Sequence, residues 1–572
     1  MTRWKIGDTG VRNPMRLRDG LIVLANDLTH KGEFYGNLHG PEQNAIFRNA
    51  LAEQGVVSLV GDKTNSVARK WINSLSSLGF IYPHSRNEKV MEVYQKELGK
   101  PDTITENGWR LIKTESVAGW QECFLRSLAA FYEPTEQGYF SPLRHTLAVM
   151  LELKKLTGSS AISGFEMEVI VQLSSSFDGS DVVAKEVVDF REQRNVAERK
   201  KVFDRDFKGK VASTVGLKPK SLYDYRDMNL RHLKATGLVQ SKGRGIALVP
   251  SKYVLIEKII HEESVPQNEI ECLRQLCDGA ILPTDHKQEA LSVLQDLAEQ
   301  LEKRGCPYDL KGRPLETPQD IEVARHDLED SLFHLDELEY AKQQASMSEE
   351  ISAFLQLLIE SKKKASKTLS NGKKVRIPDG EAPAYFEWII WRAFLAIDSL
   401  TIDPWDARRF KIDRDFLPVG TAPGNGPDIV FEFEDMVLVV EVTLTSSSRQ
   451  EAAEGEPVRR HVAKYAEDNA NNGKKVFGLF LAINVDTNTA NSFRLGEWYM
   501  KGDRRIALNI VPMSLLDFKA IWDASLDDVS KVLPKLKYLM MECRSHINEH
   551  APEWKKKVSE LAQQTAASLK SQ

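Results

Sequence analysis

The sequence predicts a multidomain α+β protein, with a mainly helical N-terminal half, a helical linker and a C-terminal α/β domain on a mixed sheet. Three observations carry that expectation. A helix–turn–strand outline occurs twice before residue 250. From about Ile256 to Lys364 the pattern is helical almost throughout and dense in Glu, Asp, Lys and Gln. Beyond that block the order becomes helix, hairpin, helix, strand, which is an α/β order. A chain of 572 residues is also too long for a single core.

The first outline begins with helical apolar spacing from Ile46 to Gln54. Asp62-Lys63-Thr64-Asn65-Ser66 reads as a turn and cap, and a second helix, Ser66 to Leu78, ends at Gly79 and leads into Phe80-Ile81-Tyr82. Helix, turn, helix, strand is the outline of a winged helix-turn-helix. Ile104 to Leu111, with Glu106-Asn107-Gly108-Trp109, is expected to be its wing strand. The outline recurs at Asp224 to Thr236, which is helical in period. Gly237-Leu238-Val239 turns there into Ser241-Lys242-Gly243-Arg244-Gly245 and a short strand, Ile246 to Val249. A basic helix ending in Leu-Gly-Phe-Ile or Thr-Gly-Leu-Val suggests two related modules.

The helical block has one loop-like stretch, Cys306 to Pro318. Its end is marked by the run Glu360-Ser361-Lys362-Lys363-Lys364-Ala365-Ser366-Lys367, followed by Asn371-Gly372-Lys373-Lys374. An aromatic-rich helix, Pro383 to Leu395, comes next. Strands are expected at Pro427 to Glu434 and Met436 to Thr445, then a polar loop from Ser446 to Gly455 and a helix from Pro457 to Ala470. After Asn471-Asn472-Gly473, strands are expected at Val476 to Val485 and Ile506 to Val511, with closing helices.

Composition narrows the function classes. With 42% hydrophobic and 28% charged residues the chain is not wholly disordered. No apolar run approaches the roughly 18 residues that cross a bilayer, and Met1-Thr2-Arg3-Trp4-Lys5 lacks the apolar stretch of a secretory signal. A cytoplasmic protein with no membrane partner is expected. Cys123, Cys272, Cys277, Cys306 and Cys543 form no CxxC pair and suit reduced thiols, leaving little support for structural zinc. The net charge of -5 conceals local asymmetry. Arg191 to Arg244 holds 15 Lys or Arg against 6 Asp or Glu, whereas Leu315 to Glu360 holds 12 acids against 2 bases. Local charge is what a phosphate backbone meets.

Metal-assisted phosphodiester hydrolysis needs carboxylates that converge on one point. Two adjacent strands can supply them from positions a dozen residues apart. Pro427-Asp428 opens the first strand here, and Glu441-Val442-Thr443 follows the apolar stretch Val437 to Val440 in the second. A charge in a near-continuous apolar strand is costly unless paired, solvated or bound to a metal. A strand end reaching solvent, or a buried ion pair, is the bland alternative. Further carboxylates lie in Tyr385-Phe386-Glu387-Trp388 and in Glu454-Gly455-Glu456-Pro457-Val458-Arg459-Arg460-His461.

Pro427-Asp428 with Glu441-Val442-Thr443 resembles the motif of the PD-(D/E)xK nuclease superfamily. It departs at the third position, where Thr443 replaces a lysine and cannot carry its charge. Four blocks in order resemble the AlwI/BstNBI group of type IIS restriction and nicking endonucleases: Phe386-Glu387-Trp388, Gly424-Asn425-Gly426-Pro427-Asp428, Glu441-Val442-Thr443, and Glu454 to His461. That group shares the threonine. The resemblance implies Mg2+ as cofactor, with Asp428, Glu441 and the Val442 carbonyl as ligands. It also implies that Glu387 completes the acidic centre and that Glu454 is a fourth catalytic acid. Glu456 and His461 match the same block with less defined roles, and His461 is either a proton carrier or structural. Lys464, one helical turn beyond Arg460, is a candidate for the missing charge.

The expected organisation is then winged-helix-like DNA-recognition subdomains at 1–150 and 151–260, a helical linker at 261–366 and a PD-(D/E)xK nuclease domain at 367–572. Asn65, Arg69, Lys70 and Asn73 are the candidate DNA contacts of the first module. Those of the second are Tyr225, Arg226, Asn229, Arg231, His232 and Lys234, with Lys242 and Arg244 in the wing. Arg191 to Arg194 (with Arg194 itself a candidate contact) and Arg199-Lys200-Lys201 could track phosphates, although a charge run is usually a solvated helix face. The expected function is sequence-specific, Mg2+-dependent cleavage of double-stranded DNA at a fixed distance from a short asymmetric site, as type IIS restriction or strand nicking. A transient homodimer or a second catalytic subunit would serve double-strand cleavage, and a cognate DNA methyltransferase would protect the site. The alternatives are a DNA-binding regulator with an inactive nuclease domain and a structure-specific repair or junction nuclease.

Overall fold

The computed structural model describes residues 3–7, 11, 13–30, 32–57, 59, 62, 66–361, 365–378, 380–446, 448–470, 472–500 and 502–570. Lys63, Thr64 and Asn65 of the expected turn, Lys362–Lys364 of the boundary run, Ser447 and Asn471 lie outside these residues. The chain divides into two compact units, Met1–Leu332 and Phe333–Gln572. Among the described residues no helix is long and apolar enough to cross a membrane, and all five cysteines are free.

In the N-terminal unit the first expected helix pair is present as Pro41–Glu53 and α1 (Val67–Ser77). Ala68, Trp71, Ile72 and Leu75 bury one face of α1. Gly79 ends it at φ +71, where a Cβ would meet the Leu276 carbonyl oxygen at 2.1 Å, so only glycine fits this turn. The expected wing is not a strand. Ile104 forms one isolated bridge with Ile81, and Glu106–Lys113 is a helix, α2. The reason is local: Thr105 caps it by accepting from the Gly108 N–H, and Glu106 favours the positive end of the helix dipole.

The second outline is realised more fully. Helix α3 (Pro142–Thr157) leads into strand β1 (Ile162–Ser163) and the short helix α4 (Gly164–Val169). Helices α5 (Ser180–Val196) and α6 (Lys200–Thr214) follow, then α7 (Pro219–Ala235), which starts on a proline at its first turn. A hairpin of β2 (Val239–Lys242) and β3 (Gly245–Leu248) completes a three-stranded antiparallel sheet in the order β1-β3-β2. Helices Glu269–Asp278 and Lys287–Lys303 continue the helical block, and no helix or strand occupies 306–317, where the loop was expected.

In the C-terminal unit, helix α8 (Ser348–Glu360) precedes α9 (Ala382–Ile397), whose residues from Ala384 onward are all buried. A one-turn helix α10 (Pro404–Ala407) follows. Strands β4 (Ile429–Glu432) and β5 (Met436–Thr443) form the expected antiparallel hairpin. Helix α11 (Glu456–Asp468) leads to β6 (Lys475–Ala482), which lies parallel to β5. The strand expected at Ile506 to Val511 is two elements. Arg504–Ala507 (β8) pairs with Glu497–Met500 (β7) in a separate hairpin, and Ile510–Ser514 (β9) joins the main sheet beside β6. Polar Asn509 separates the two runs, and the mostly exposed pattern of Arg504–Ala507 suits a two-stranded ribbon rather than a sheet centre. The mixed sheet has the order β9-β6-β5-β4. Near-continuous apolar runs in β5 and β6 are buried, as strands covered on both faces require.

Candidate active site

The hairpin register sets the first relationship. Ile429 pairs with Val440, so Asp428, one residue before β4, lies across from Glu441, one residue further along β5. The chain closes this corner itself, because Asp428 Oδ2 accepts from the Val442 N–H at 2.8 Å. Side chains alternate along a strand, which places Glu441 and Thr443 on one face and Val442 on the other. Glu441 and Thr443 are each 7% exposed.

Helix α9 adds Glu387, 5% exposed between buried Phe386 and Trp388. The helix is fixed by its tryptophans: Trp388 donates to the Phe416 carbonyl at 2.7 Å and Trp391 to the Pro404 carbonyl at 3.0 Å. Its other buried charge, Arg392, is matched by Glu350 at 2.9 Å and by the Gln344 amide oxygen. Glu387 has no such cation among the described residues, and its Oε2 accepts from the Ala422 N–H at 2.7 Å.

The segment expected as a polar loop, Ser446 to Gly455, is helical for much of its length. Glu451–Gly455 forms a π-helical turn running directly into α11. Such wide turns are frequent at functional sites. Buried Gln450 anchors it by donating to the Thr445 and Asn484 carbonyls, while its own oxygen accepts from the Asp486 N–H at 2.8 Å. The turn presents half-buried Glu454, whose carboxyl the Thr443 side chain holds down against burial. From α11, His461 places Nδ1 at 2.6 Å from Glu441 Oε1, and its Nε2 is buried without a partner among the described residues.

The electrostatics follow from crowding carboxylates in a buried corner. Burial raises the Glu387 carboxyl well above the usual range, and the charge of Asp428 raises it further. Asp428 is pushed up to about 8 by burial and then by Glu441. Glu441 is pushed up to about 8 by burial and then by Glu454, against the opposing pull of Asp428 hydrogen bonds and the Arg409 charge. Burial also raises Glu454, and the Thr443 bond resists it. Burial depresses His461, and the Arg460 and Arg409 charges depress it further. Among the described residues no Lys or Arg forms a salt bridge with any of these four acids.

The structure thus brings together Glu387, Asp428, Glu441, Glu454 and His461. It leaves two other candidates outside. Glu456 is exposed and paired with Arg460 at 3.0 Å, and Lys464 is exposed on α11. An all-oxygen donor set of clustered carboxylates suits a hard divalent cation. Gln450 and the Ala422 N–H, which position the acids, were not singled out from the sequence. Gln450 carries a signal in hindsight, as a single amide beside the Glu-rich turn.

The basic candidates of the N-terminal unit divide by burial. Arg69 and Asn73 are exposed and Lys70 half-buried on the outer face of α1, and Lys242 and Arg244 are exposed at the β2–β3 turn. Arg199, Lys200 and Lys201 are exposed as well. Other side chains are committed within the fold. Arg194 makes a two-pronged contact with Asp204 at 2.7 and 3.0 Å, Arg191 pairs with Glu166, and Arg231 pairs with Asp227. Arg226 stacks 4.3 Å above the Tyr223 ring, and Lys234 donates to Ser241. Tyr225 is half-buried beneath Lys5. Asn229 is fully buried, with its amide bound to the Ile6 N–H and to Gln172, and His232 is buried with Nδ1 against the Met228 carbonyl.

A family model described as AlwI restriction endonuclease matches residues 76–521, a span that includes all four acids. Among solved structures, the small subunit (R.BspD6I2) of the heterodimeric restriction endonuclease R.BspD6I is 23% identical. That match covers 36% of this chain and 97% of the other, with a TM-score of 0.28. Comparison with curated proteins gives no match. The family match spans most of the chain, and the protein belongs to the AlwI restriction endonuclease family.

Proposed function

We propose that the protein is a Mg2+-dependent endonuclease that reads a short asymmetric DNA site and cuts at a fixed distance from it. The observation that carries this reading is the convergence of Glu387, Asp428, Glu441 and Glu454 at one corner of the mixed sheet, in a chain of restriction endonuclease family membership. Idle buried carboxylates are a liability, and a bound cation relieves it. Recognition is assigned to 1–150 and 151–260, spacing to 261–366 and cleavage to 367–572. The three-stranded sheet behind α7 supports a winged module in the second of these, with Lys242 and Arg244 in its wing.

Asp428, Glu441 and the Val442 carbonyl would hold the ion. Mg2+, when bound, supplies Lewis acidity at the phosphate and makes the attacking water more acidic. The chain's own groups do the rest. Asp428 is pinned by the Val442 N–H, and Glu441 is steadied by His461. Glu454, beside Thr443, is the acceptor for the water proton as the water oxygen attacks phosphorus, and the leaving sugar oxygen takes a proton from solvent as its bond to phosphorus breaks. A monomer has one such centre and cuts one strand, so double-strand cleavage calls for a transient dimer or a second catalytic subunit. A methyltransferase of matching specificity would protect the host site.

The test is strand scission of plasmid DNA by the full chain. Cleavage should occur with Mg2+, stop in EDTA and disappear in Asp428→Ala while DNA binding stays within about twofold. Thr443, in place of a lysine, favours a second reading, a DNA-binding regulator with an inactive nuclease domain. Binding without scission in either Mg2+ or Mn2+ would establish that reading instead.

A further inference from the structure

The proposed centre has four acids and, at Thr443, no lysine. A nuclease site must still offset the negative charge that builds on the phosphate. Lys464 is exposed on α11. A different residue stands beside the motif. Arg408, just after α10, forms an antiparallel bridge with Ile429. One step along that pairing sets Arg409 beside Asp428, on the side opposite Glu441. The three residues therefore form one cross-strand row: Arg409, Asp428, Glu441. Alternation separates the two arginines. Arg408 turns to buried Glu337, which it grips at 2.8 and 2.9 Å, and Arg409 projects the other way.

The side chain of Arg409 is seated rather than loose. Its Nη1 donates to the Pro427 carbonyl at 3.0 Å, and its Nη2 donates to Asn425 Oδ1 at 2.5 Å. Gly426 lies between these partners, and a Cβ there would come within 2.2 Å of Nη1. The run Asn425-Gly426-Pro427 thus works as a cradle for the guanidinium, directly before Asp428. These two bonds engage two of the five N–H donors of a guanidinium, and the side chain is half-exposed. A planar group with donors to spare matches the oxygens of a phosphate.

We propose that Arg409 is the cation of the nuclease centre, supplying in place of the motif lysine the charge that meets the scissile phosphate beside Asp428. The inference rests on the endonuclease reading above. In support, the Arg409 charge already acts on Glu441 and His461 across the same corner.

The experiment compares single-turnover cleavage by the full chain with Arg409→Ala, Arg409→Lys and Asp428→Ala, at saturating plasmid and Mg2+. Arg409→Ala should cut about 100-fold more slowly, the loss expected on removing one charge-stabilising donor, with recognition-site binding within about twofold. Arg409→Lys should recover at least about tenfold of that loss, and added guanidinium chloride should partly restore Arg409→Ala. Rescue by a free cation separates lost charge from lost structure, and circular dichroism spectra should match the wild type. Should Arg409→Ala fold poorly, Arg409→Gln replaces it under the same criteria. Wild-type rates in Arg409→Ala or Arg409→Gln, or losses that neither lysine nor guanidinium relieves, would overturn the proposal. Wild-type rates in Asp428→Ala would instead sink the nuclease reading on which it stands.

Discussion

The imidazole of His461 on α11 lies 2.6 Å from the carboxylate of Glu441 on β5, joining a helix and a strand through one buried polar contact. Burial disfavours charge on both partners, raising the acid and lowering the base. The contact fixes the direction in which Glu441 presents its second oxygen. A group that orients a metal ligand typically contributes about 10- to 100-fold in affinity or activity. His461→Ala should therefore slow single-turnover cleavage by about that factor and weaken Mg2+ dependence, while DNA binding persists. An unchanged rate and an unchanged Mg2+ titration would show that the contact is only packing.

Thr443 is the second support. Its side chain holds the Glu454 carboxyl down against burial, and its place on β5 puts it on the face of Glu441. A hydrogen bond to a charged group contributes about 1.5–3 kcal/mol. Thr443→Val keeps the branched shape and removes the hydroxyl. Its cleavage rate should fall about tenfold or more, with an unchanged melting temperature within a few degrees. A rate equal to wild type would remove Glu454 from the proton-transfer role.

The acid cluster also makes stability depend on pH. Asp428 and Glu441 are raised to about 8 in the folded chain, whereas free carboxyls titrate near about 4. The folded state thus holds more protons than the unfolded state between about pH 4 and 8. Stability from these groups is full below pH 4 and is lost as pH rises through that window. In EDTA the melting temperature should fall more steeply from pH 5 to pH 8.5 in wild type than in Asp428→Asn/Glu441→Gln. Mg2+ should raise it at pH 8 more than at pH 5, since binding to the ionised form stabilises the fold. Parallel pH curves for the two proteins would contradict the crowding of these carboxylates.

Burial divides the basic candidates into two kinds of behaviour. Lys242 and Arg244 are exposed at a hairpin turn. Replacing both with alanine should weaken binding and reduce the slope of log affinity against log salt by about 2. Asn229 holds Ile6 and Gln172 in the interior, so Asn229→Ala should destabilise the fold by about 1–3 kcal/mol without changing which DNA sequence is preferred. A preserved salt slope in the first variant, or a changed site preference at full stability in the second, would reverse these assignments.

The legible parts of this protein were those with local signals. The hairpin of Asp428 and Glu441 shows itself because two apolar runs are separated by Glu434-Asp435, and the charge at Glu441 interrupts the second. Glu387 shows itself as one acid inside an aromatic helix. The wing expected at Ile104 to Leu111 failed because alternation there is brief, while the Thr105 cap and the amphipathic run behind it favour a helix. The loop expected before Gly455 failed because the π-helical turn is held by tertiary bonds from Gln450, which periodicity does not record. Arg409 was hidden for a similar reason. Its neighbour Asp428 is 19 positions away, and only the pairing of Arg408 with Ile429 brings them side by side.

Site-directed cleavage can be read out by incubating the full chain with supercoiled plasmid and Mg2+ and then run-off sequencing both strands. Breaks should fall at one fixed distance from a single short asymmetric sequence, on one strand for the monomer, and none should form with Asp428→Ala. Breaks scattered without a common neighbouring sequence, or the same breaks from Asp428→Ala, would contradict the proposed function.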